Sequence, residues 1–281
     1  MSETIKRTPV FITGCQRSGT TLLGLILDSH PKIRGIDEDR FILPSIYRYL
    51  CETLPADPEF ISFKLPMYAH MMSFLESLPN RRIIWCIRNP LDAVCSMAKL
   101  QIGDGEIKVP WALHPKGGWL EITNTHWVLN GEQRKRLDGH IAEYIRLRDK
   151  LNKLSQTPEN LNRIDHRDCV FSGALCWALK NELPSLYKAR NIDFHVVRYE
   201  DLVSNPRERI AEILDYIGAD WSEEVLMHHQ LHEGTSIGKT SNTRPIDRKS
   251  VGQGKKNLSQ EEQELVRNIC GATAKSWGYA I

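Results

Sequence analysis

Residues 9–30 read PVFITGCQRSGTTLLGLILDSH, and the fold depends on how this stretch is parsed. The first six residues have the pattern of a buried strand, residues 14–19 form a glycine-rich turn, and Thr20 to Asp28 form an apolar helix. Strand, turn and helix in that order cradle anions in α/β proteins, because backbone N–H groups and the positive helix end converge on one spot. Enzymes of nucleoside triphosphates write the turn G-x-x-x-x-G-K-[ST], with the lysine on the outer phosphates and the hydroxyl on magnesium. Gly14 and Gly19 keep that spacing, but Thr20 stands where the lysine belongs. Thr20 and Thr21 add hydroxyl donors, and Arg17 adds a full positive charge.

Outward from this stretch, strands alternate with helices. RRIIWCI, residues 81–87, is a short apolar run suited to an interior parallel strand. NPLDAVCSMAKL, 89–100, starts a helix, with Asn89 as N-cap, Pro90 at its first position and Asp92 in its first turn. FHVVRY, 194–199, is a third strand, followed by a helix over about 206–217. Helices are also expected over 41–52, 67–78, 169–187 and 259–276. The expected fold class is α/β: a central parallel β-sheet flanked by helices. Residues 1–281 read as a single domain, with an insertion at about 101–168 that carries a charged helix around 132–154. The stretch 234–258, rich in Gly, Ser, Thr and Lys, is expected to be a loop.

The chain has 281 residues, 41% hydrophobic and 26% charged, an ordinary globular composition. A net charge of +2 argues against a nucleic-acid partner bound through a broad basic surface. No apolar run approaches the ~20 residues of a membrane span. Seven cysteines, at positions 15, 51, 86, 95, 169, 176 and 270, are scattered without metal-ligand spacing. They imply free thiols in a reducing cytoplasm.

The missing lysine is informative. An ATP enzyme needs it, together with a carboxylate after a second apolar strand to hold magnesium. Here Arg88 follows the strand 81–87, and Arg198 and Tyr199 end the strand 194–199. A basic residue at a strand's end suits an anion better than a metal.

In these residues the chain resembles the sulfotransferases that use 3′-phosphoadenosine 5′-phosphosulfate (PAPS). RSGTT, 17–21, resembles their 5′-phosphosulfate loop. IRNPLDAVCS, 87–96, resembles their 3′-phosphate site, with an Arg at the strand end and a Ser eight residues on: Arg88 and Ser96. RYEDL, 198–202, is similar to the motif whose Tyr, here Tyr199, lies near the cofactor. RKSVGQGKKN, 248–257, resembles a late loop over the 3′-phosphate, with Ser250 in place of a glycine and Gly254 in place of a tryptophan. The resemblance implies a P-loop-like sulfotransferase fold. It also implies PAPS as donor without a metal, and a hydroxylated acceptor: a small metabolite, lipid, sugar or peptide. Ser18, Gly19, Thr20 and Thr21 would hold the 5′-phosphate, with Arg17 at the sulfuryl group. Arg88 and Ser96 would hold the 3′-phosphate, and Arg248 and Lys249 would close over it.

Sulfuryl transfer needs a base for the acceptor hydroxyl and cations at the bridging oxygen. Many soluble members use a His in K-T-H-x-P. The matching stretch here is FKLP, 63–66, where Lys64 matches the lysine but Pro66 replaces the His. LDSHPKIRGIDEDRFILP, 27–44, instead resembles the tyrosylprotein sulfotransferase pattern L-D-A-H-P…G-E-E-T-R. By that resemblance Glu38 is the catalytic base, Arg40 the following arginine and Lys64 the leaving-group lysine. Asp37 and Asp39 flank Glu38, and like charges raise a carboxylate's pKa.

Two other readings stay open at this point: a P-loop kinase using ATP and magnesium, and a non-catalytic nucleotide-binding protein. GTSIGKT, 234–240, imitates the kinase loop but has three residues between its glycines instead of four, and reads as a flexible loop. His228, His229 and His232 read as a helix surface rather than a metal site. Trp111, Trp119 and Trp127 read as the small core of the insertion, with an acceptor wall as the alternative.

Overall fold

The structure, a computed structural model, describes residues 5–37, 45–52, 54, 57–102, 109–114, 118–153, 164–236 and 240–281. By its internal contacts the chain divides into two compact units, each assembled from separate stretches. The first comprises Met1–Gly14, Ser18–Ile87 and Arg190–Arg248; the second comprises Cys15–Arg17, Arg88–Ala189 and Lys249–Ile281.

The first unit is built on a five-stranded sheet of β1 (Thr8–Gly14), β2 (Ile33–Ile36), β3 (Phe60–Lys64), β4 (Arg82–Ile87) and β7 (His195–Arg198). The order is β2-β3-β1-β4-β7, and every pairing is parallel. Successive side chains of a strand face opposite ways, and β1 shows the division. Val10 and Ile12 join a core with Leu23, Ile26 and Leu27 of α1 (Thr20–Asp28) and with Ile210, Ile213, Leu214 and Ile217 of the helix Pro206–Ile217. Phe11 faces the other way and stacks on Phe63 of β3, with centroids 5.4 Å apart. α2 (Ser45–Cys51) precedes β3, and a 3₁₀ stretch, Pro66–Ser77, follows it where the sequence suggested an α-helix. Leu65 leads into Pro66 with φ −129° and ψ 44°, and Tyr68 breaks the helical dihedrals inside.

The two strands of this sheet missing from the sequence reading are β2 and β3. β2 is four residues at the sheet edge with a glycine and an arginine inside it. β3 mixes Ser62 and Lys64 into an otherwise apolar run, which masks the continuous hydrophobic pattern of an interior parallel strand.

The second unit gathers α3 (Pro90–Ala98), α4 (Gly118–Val128) and α5 (Gly131–Lys153) with the long apolar α6 (His166–Ala189). A two-residue antiparallel pair, β5 (Gln101–Ile102) with β6 (Val109–Pro110), belongs to it too. In the first unit, α7 (Tyr199–Ser204) and α8 (Pro206–Ile217) follow β7, and α9 (His228–Leu231) comes later. The second unit ends with α10 (Gln253–Asn257) and α11 (Gln260–Ser276). α11 starts on a capping box in which the Ser259 hydroxyl accepts from Glu262 N and the Glu262 carboxylate accepts from Ser259 N. The expected loop 234–258 is therefore interrupted, by α10 and by the short pair β8 (Thr235–Ser236) with β9 (Thr240–Ser241).

Candidate active site

In the first unit, α1 starts on Gly19, which lies in the left-handed region at φ 94°. No side chain caps this helix start and no acidic residue sits in its first turn. Ser18 is only 1% exposed, and its Oγ has no hydrogen-bond partner. A buried hydroxyl left unpaired costs about 1–3 kcal/mol, so an anion at this turn is the group that would satisfy it. Gly19 is also required by packing: a Cβ there would come within 2.7 Å of the Tyr199 ring. Tyr199, 8% exposed at the start of α7, thus lies against the turn.

Lys64 ends β3. Its ammonium is 2.9 Å from the Asp37 carboxylate and donates to Thr21 Oγ1 at 3.4 Å. The Lys64 side chain is 6% exposed and that of Asp37 34%. Beside them lies an open pocket, which Ser62, Gly24 and Asp28 also line. Glu38, the expected base, and Arg40 lie outside the described residues. Among the described residues, the carboxylate beside Lys64 is Asp37, one position before Glu38.

In the second unit, Arg88, Arg17 and Ser96 meet. Arg88 is 6% exposed; its Nη1 donates to the Arg17 carbonyl at 3.0 Å, and its Nη2 donates to the Ser250 carbonyl. Arg17, in the left-handed region at φ 65°, donates from Nε to Ser96 Oγ at 2.9 Å. The Arg88 carbonyl accepts from Trp177 Nε1 at 3.0 Å. α3 is capped as its sequence suggests: the Asn89 side chain accepts from Leu91 N, and Pro90 occupies the first turn.

Asp92 has a further role that the sequence did not disclose. Its two carboxylate oxygens accept from Gly252 N at 2.7 Å and Gly254 N at 2.6 Å. Gly254 packs so tightly on α3 that a Cβ would overlap the Leu91 carbonyl. That contact accounts for glycine at this position. In this late loop the anchored groups are backbone ones, while the Arg248 and Lys249 side chains are exposed.

A second feature missed from sequence is a buried triad in the second unit. Gln16, inside the glycine-rich turn, donates from Nε2 to Glu121 of α4 and accepts from Lys180 of α6 at 2.6 Å. Lys180 and Glu121 form an ion pair, with side chains 1% and 3% exposed. Burial pulls the Lys180 pKa down, but the Glu121 carboxylate overrides it, so the ammonium is held above its ordinary range. The available signal was Lys180 itself, a lone charge in the apolar run CVFSGALCWALK, since such a charge is buried only with a partner.

His228 is fully buried rather than on a helix surface, and its Nε2 contacts the Arg244 carbonyl at 3.1 Å. His232 Nε2 lies 3.1 Å from Ser29 Oγ, and no cluster suited to a metal occurs among the described residues. Trp111 is 5% exposed, and Trp119 stacks on Tyr144 with Arg148 over its outer face. Trp127 departs from the expected small core: it is 71% exposed, beneath Arg134. All seven cysteines are buried and free. Burial pushes Cys86 and Cys169 up to about 12, which removes them as nucleophiles at neutral pH.

With this geometry in hand, the comparisons are consistent. Residues 7–278 match the sulfotransferase domain family, and the chain belongs to it. It is 22% identical over 252 residues to protein-tyrosine sulfotransferase A of Caenorhabditis elegans, covering 86% of this chain and 56% of that protein. It is 23% identical over 230 residues to protein-tyrosine sulfotransferase of Drosophila melanogaster, covering 79% and 40%. The chain thus spans about half the length of the curated relatives it matches. Among solved structures, the sulfotransferase domain from the curacin biosynthetic pathway has a TM-score of 0.59 at 16% identity, covering 99% of this chain and 100% of that domain. The fold is the P-loop-like sulfotransferase fold.

Proposed function

We propose that the chain transfers the sulfuryl group of PAPS to a hydroxyl of an acceptor, and that residues 1–281 act as one sulfotransferase domain. The observation that carries this reading is the start of α1: an uncapped helix end with the buried, unpartnered Ser18 hydroxyl. Such a turn suits an anion, and Thr20 in place of the kinase lysine sets triphosphate chemistry aside. In this reading the amides and hydroxyls of Ser18, Gly19, Thr20 and Thr21 hold the 5′-phosphate. Arg88 and Ser96 hold the 3′-phosphate, and Tyr199 packs beside the cofactor. Arg248 and Lys249 are exposed and screen the outer face.

The chemistry is an in-line displacement. Glu38 takes the acceptor proton as the acceptor oxygen bonds to sulfur. The bond from sulfur to the 5′-phosphate oxygen breaks, and Arg17 and Lys64 stabilise the charge left on that oxygen. Adenosine 3′,5′-bisphosphate departs, and no metal takes part. The acceptor is a hydroxylated small metabolite, lipid, sugar or peptide, and no helix among the described residues is long and apolar enough to cross a membrane. The buried, free cysteines support residence in a reducing cytoplasm; a tagged chain that fractionates with Golgi membranes would overturn that placement.

Isothermal titration tests the cofactor. Tight binding of adenosine 3′,5′-bisphosphate without metal is expected, and magnesium-dependent ATP binding in its place would favour a kinase. Binding without transfer of labelled sulfate to any acceptor pool would leave a non-catalytic nucleotide-binding protein. Glu38→Gln should cut turnover by at least ~10²-fold, the scale of a general base, while leaving bisphosphate affinity intact.

A further inference from the structure

The pocket beside Lys64 has a construction that the transfer chemistry does not require. Ser62 and Lys64 are two residues apart on β3, so both face α1. Ser62 is 1% exposed and its Oγ has no partner. In the sheet register its neighbours are Val10 and Gly35, and the space beside Gly35 is taken by the Asp28 side chain, which lines the same pocket. Above the strand, α1 presents Gly24. A Cβ at Gly24 would make only ordinary contact, 4.0 Å from Lys64 Cδ. Packing therefore does not demand glycine there, and within a helix glycine is destabilising by roughly 0.5–1 kcal/mol relative to alanine. What Gly24 does provide is room over Ser62 and Lys64.

The remaining polar groups narrow the occupant. Asp28 accepts from Gly35 N, and Asp37 is paired with Lys64, so both carboxylates are already engaged. With Lys64 given to the donor's leaving oxygen, the carboxylates of Asp28 and Asp37 are the charges left to face an acceptor among the described lining residues, and they disfavour an anionic group. Ser62 can both donate and accept, and the complementary group is another hydroxyl.

We propose that this pocket is an acceptor subsite for a second, unsulfated hydroxyl, recognised by Ser62 under the opening left by Gly24. The acceptor class is then a neutral polyol rather than a monohydric alcohol or an acidic sugar. This inference rests on the sulfotransferase reading and specifies its substrate.

The test uses glycerol, myo-inositol and glucose as polyol probes, with 1-propanol and glucuronate as comparators. The wild type should transfer sulfate to a polyol at least ~10-fold more efficiently than to 1-propanol, the scale of one hydrogen bond to a buried group. Ser62→Ala should lose that preference while keeping bisphosphate affinity and 1-propanol turnover within about twofold, since this hydroxyl meets neither. Gly24→Ala should melt at the same or a higher temperature yet raise KM for every polyol, a combination that a purely structural role for Gly24 would not give. Saturation-transfer NMR of the same polyols, lost in Ser62→Ala, supplies a readout without turnover. Polyol binding with no transfer to any acceptor would sink the sulfotransferase reading and leave the subsite standing. Transfer with equal efficiency to 1-propanol, or a preference for glucuronate, would overturn the subsite alone. Absence of both binding and transfer would sink both.

Discussion

The turn from β1 into α1 and the turn from β4 into α3 follow neighbouring parallel strands, yet they are finished in opposite ways. The first has a left-handed glycine, no side-chain cap, no acid in the first helical turn and a buried hydroxyl without a partner. The second is closed by the protein's own groups: Asn89 caps it, Pro90 removes a donor, and Asp92 is engaged with the amides of Gly252 and Gly254. The N-terminus of any helix leaves amides unsatisfied. At α1 no side chain takes them up, while at α3 Asn89 accepts from Leu91 N and Pro90 has no amide to offer. In the proposed reading, an anion at α1 would be held mainly by the backbone, and one near α3 by side chains, Arg88 and Ser96 foremost.

That contrast is broken most directly at Arg88. Arg88→Ala should weaken adenosine 3′,5′-bisphosphate binding by ~10²-fold, because a charge-assisted contact is worth roughly 1.5–3 kcal/mol and no helix-end amides stand in for it. Titration calorimetry reads the result, and an effect under threefold would mean that the α3 side contributes no anion site. Next comes Asp92→Ala, which leaves the Gly252 and Gly254 amides without their acceptor. Stability should fall by about 2 kcal/mol, the cost of stranding such groups, as read from urea unfolding. Bisphosphate affinity should fall by roughly tenfold as the Ser250 carbonyl ceases to orient Arg88. Loss of stability with unchanged affinity would confine Asp92 to packing.

The legibility of the two turns from sequence differed in the same way. β1, the glycines, α1 over Thr20–Asp28 and the Asn89–Pro90 start of α3 were all readable, since each is encoded by local pattern and capping chemistry. The groups that complete the turns were not. Gly252 and Gly254 lie 160 and 162 residues from Asp92, and Gln16 lies 105 residues from Glu121. Nothing local in a glycine-rich loop indicates which carboxylate it will bind. The separate assignment of Arg17 and of Arg88 with Ser96 to two phosphates likewise could not foresee that Arg17 bonds Ser96 directly. Tyr199 was legible as a motif residue, but its contact with Gly19 became visible only in the fold.

Acid probes the first unit through a different residue, His228 of α9. Burial pushes the His228 pKa down to about 4, below the ~6.5 of an unfolded histidine. The unfolded state therefore binds the proton more readily, and the stability associated with a neutral His228 is fully present above about pH 6.5 and lost as pH falls toward 4. The urea midpoint should drop between pH 7 and 5, and His228→Gln should flatten that slope. The ligand's 3′-phosphate, with a second pKa of about 6, also gains a proton over this range, so the affinity ratio between wild type and Arg88→Ala should narrow toward pH 5. A ratio that stays constant would mean that Arg88 does not meet that phosphate.

The smallest effect is the most diagnostic of the open turn. Ser18→Ala removes a buried hydroxyl that has no partner in the free protein, so the free protein should gain stability by up to about 1 kcal/mol. With the bisphosphate bound, the same hydroxyl gains an acceptor, so affinity should fall by a few-fold, the scale of one neutral hydrogen bond. The two measurements move in opposite directions, which neither a packing defect nor a general loosening of the loop can produce. A lower melting temperature for Ser18→Ala would mean that its hydroxyl is already satisfied within the protein. The turn into α1 would then be as self-contained as the turn into α3.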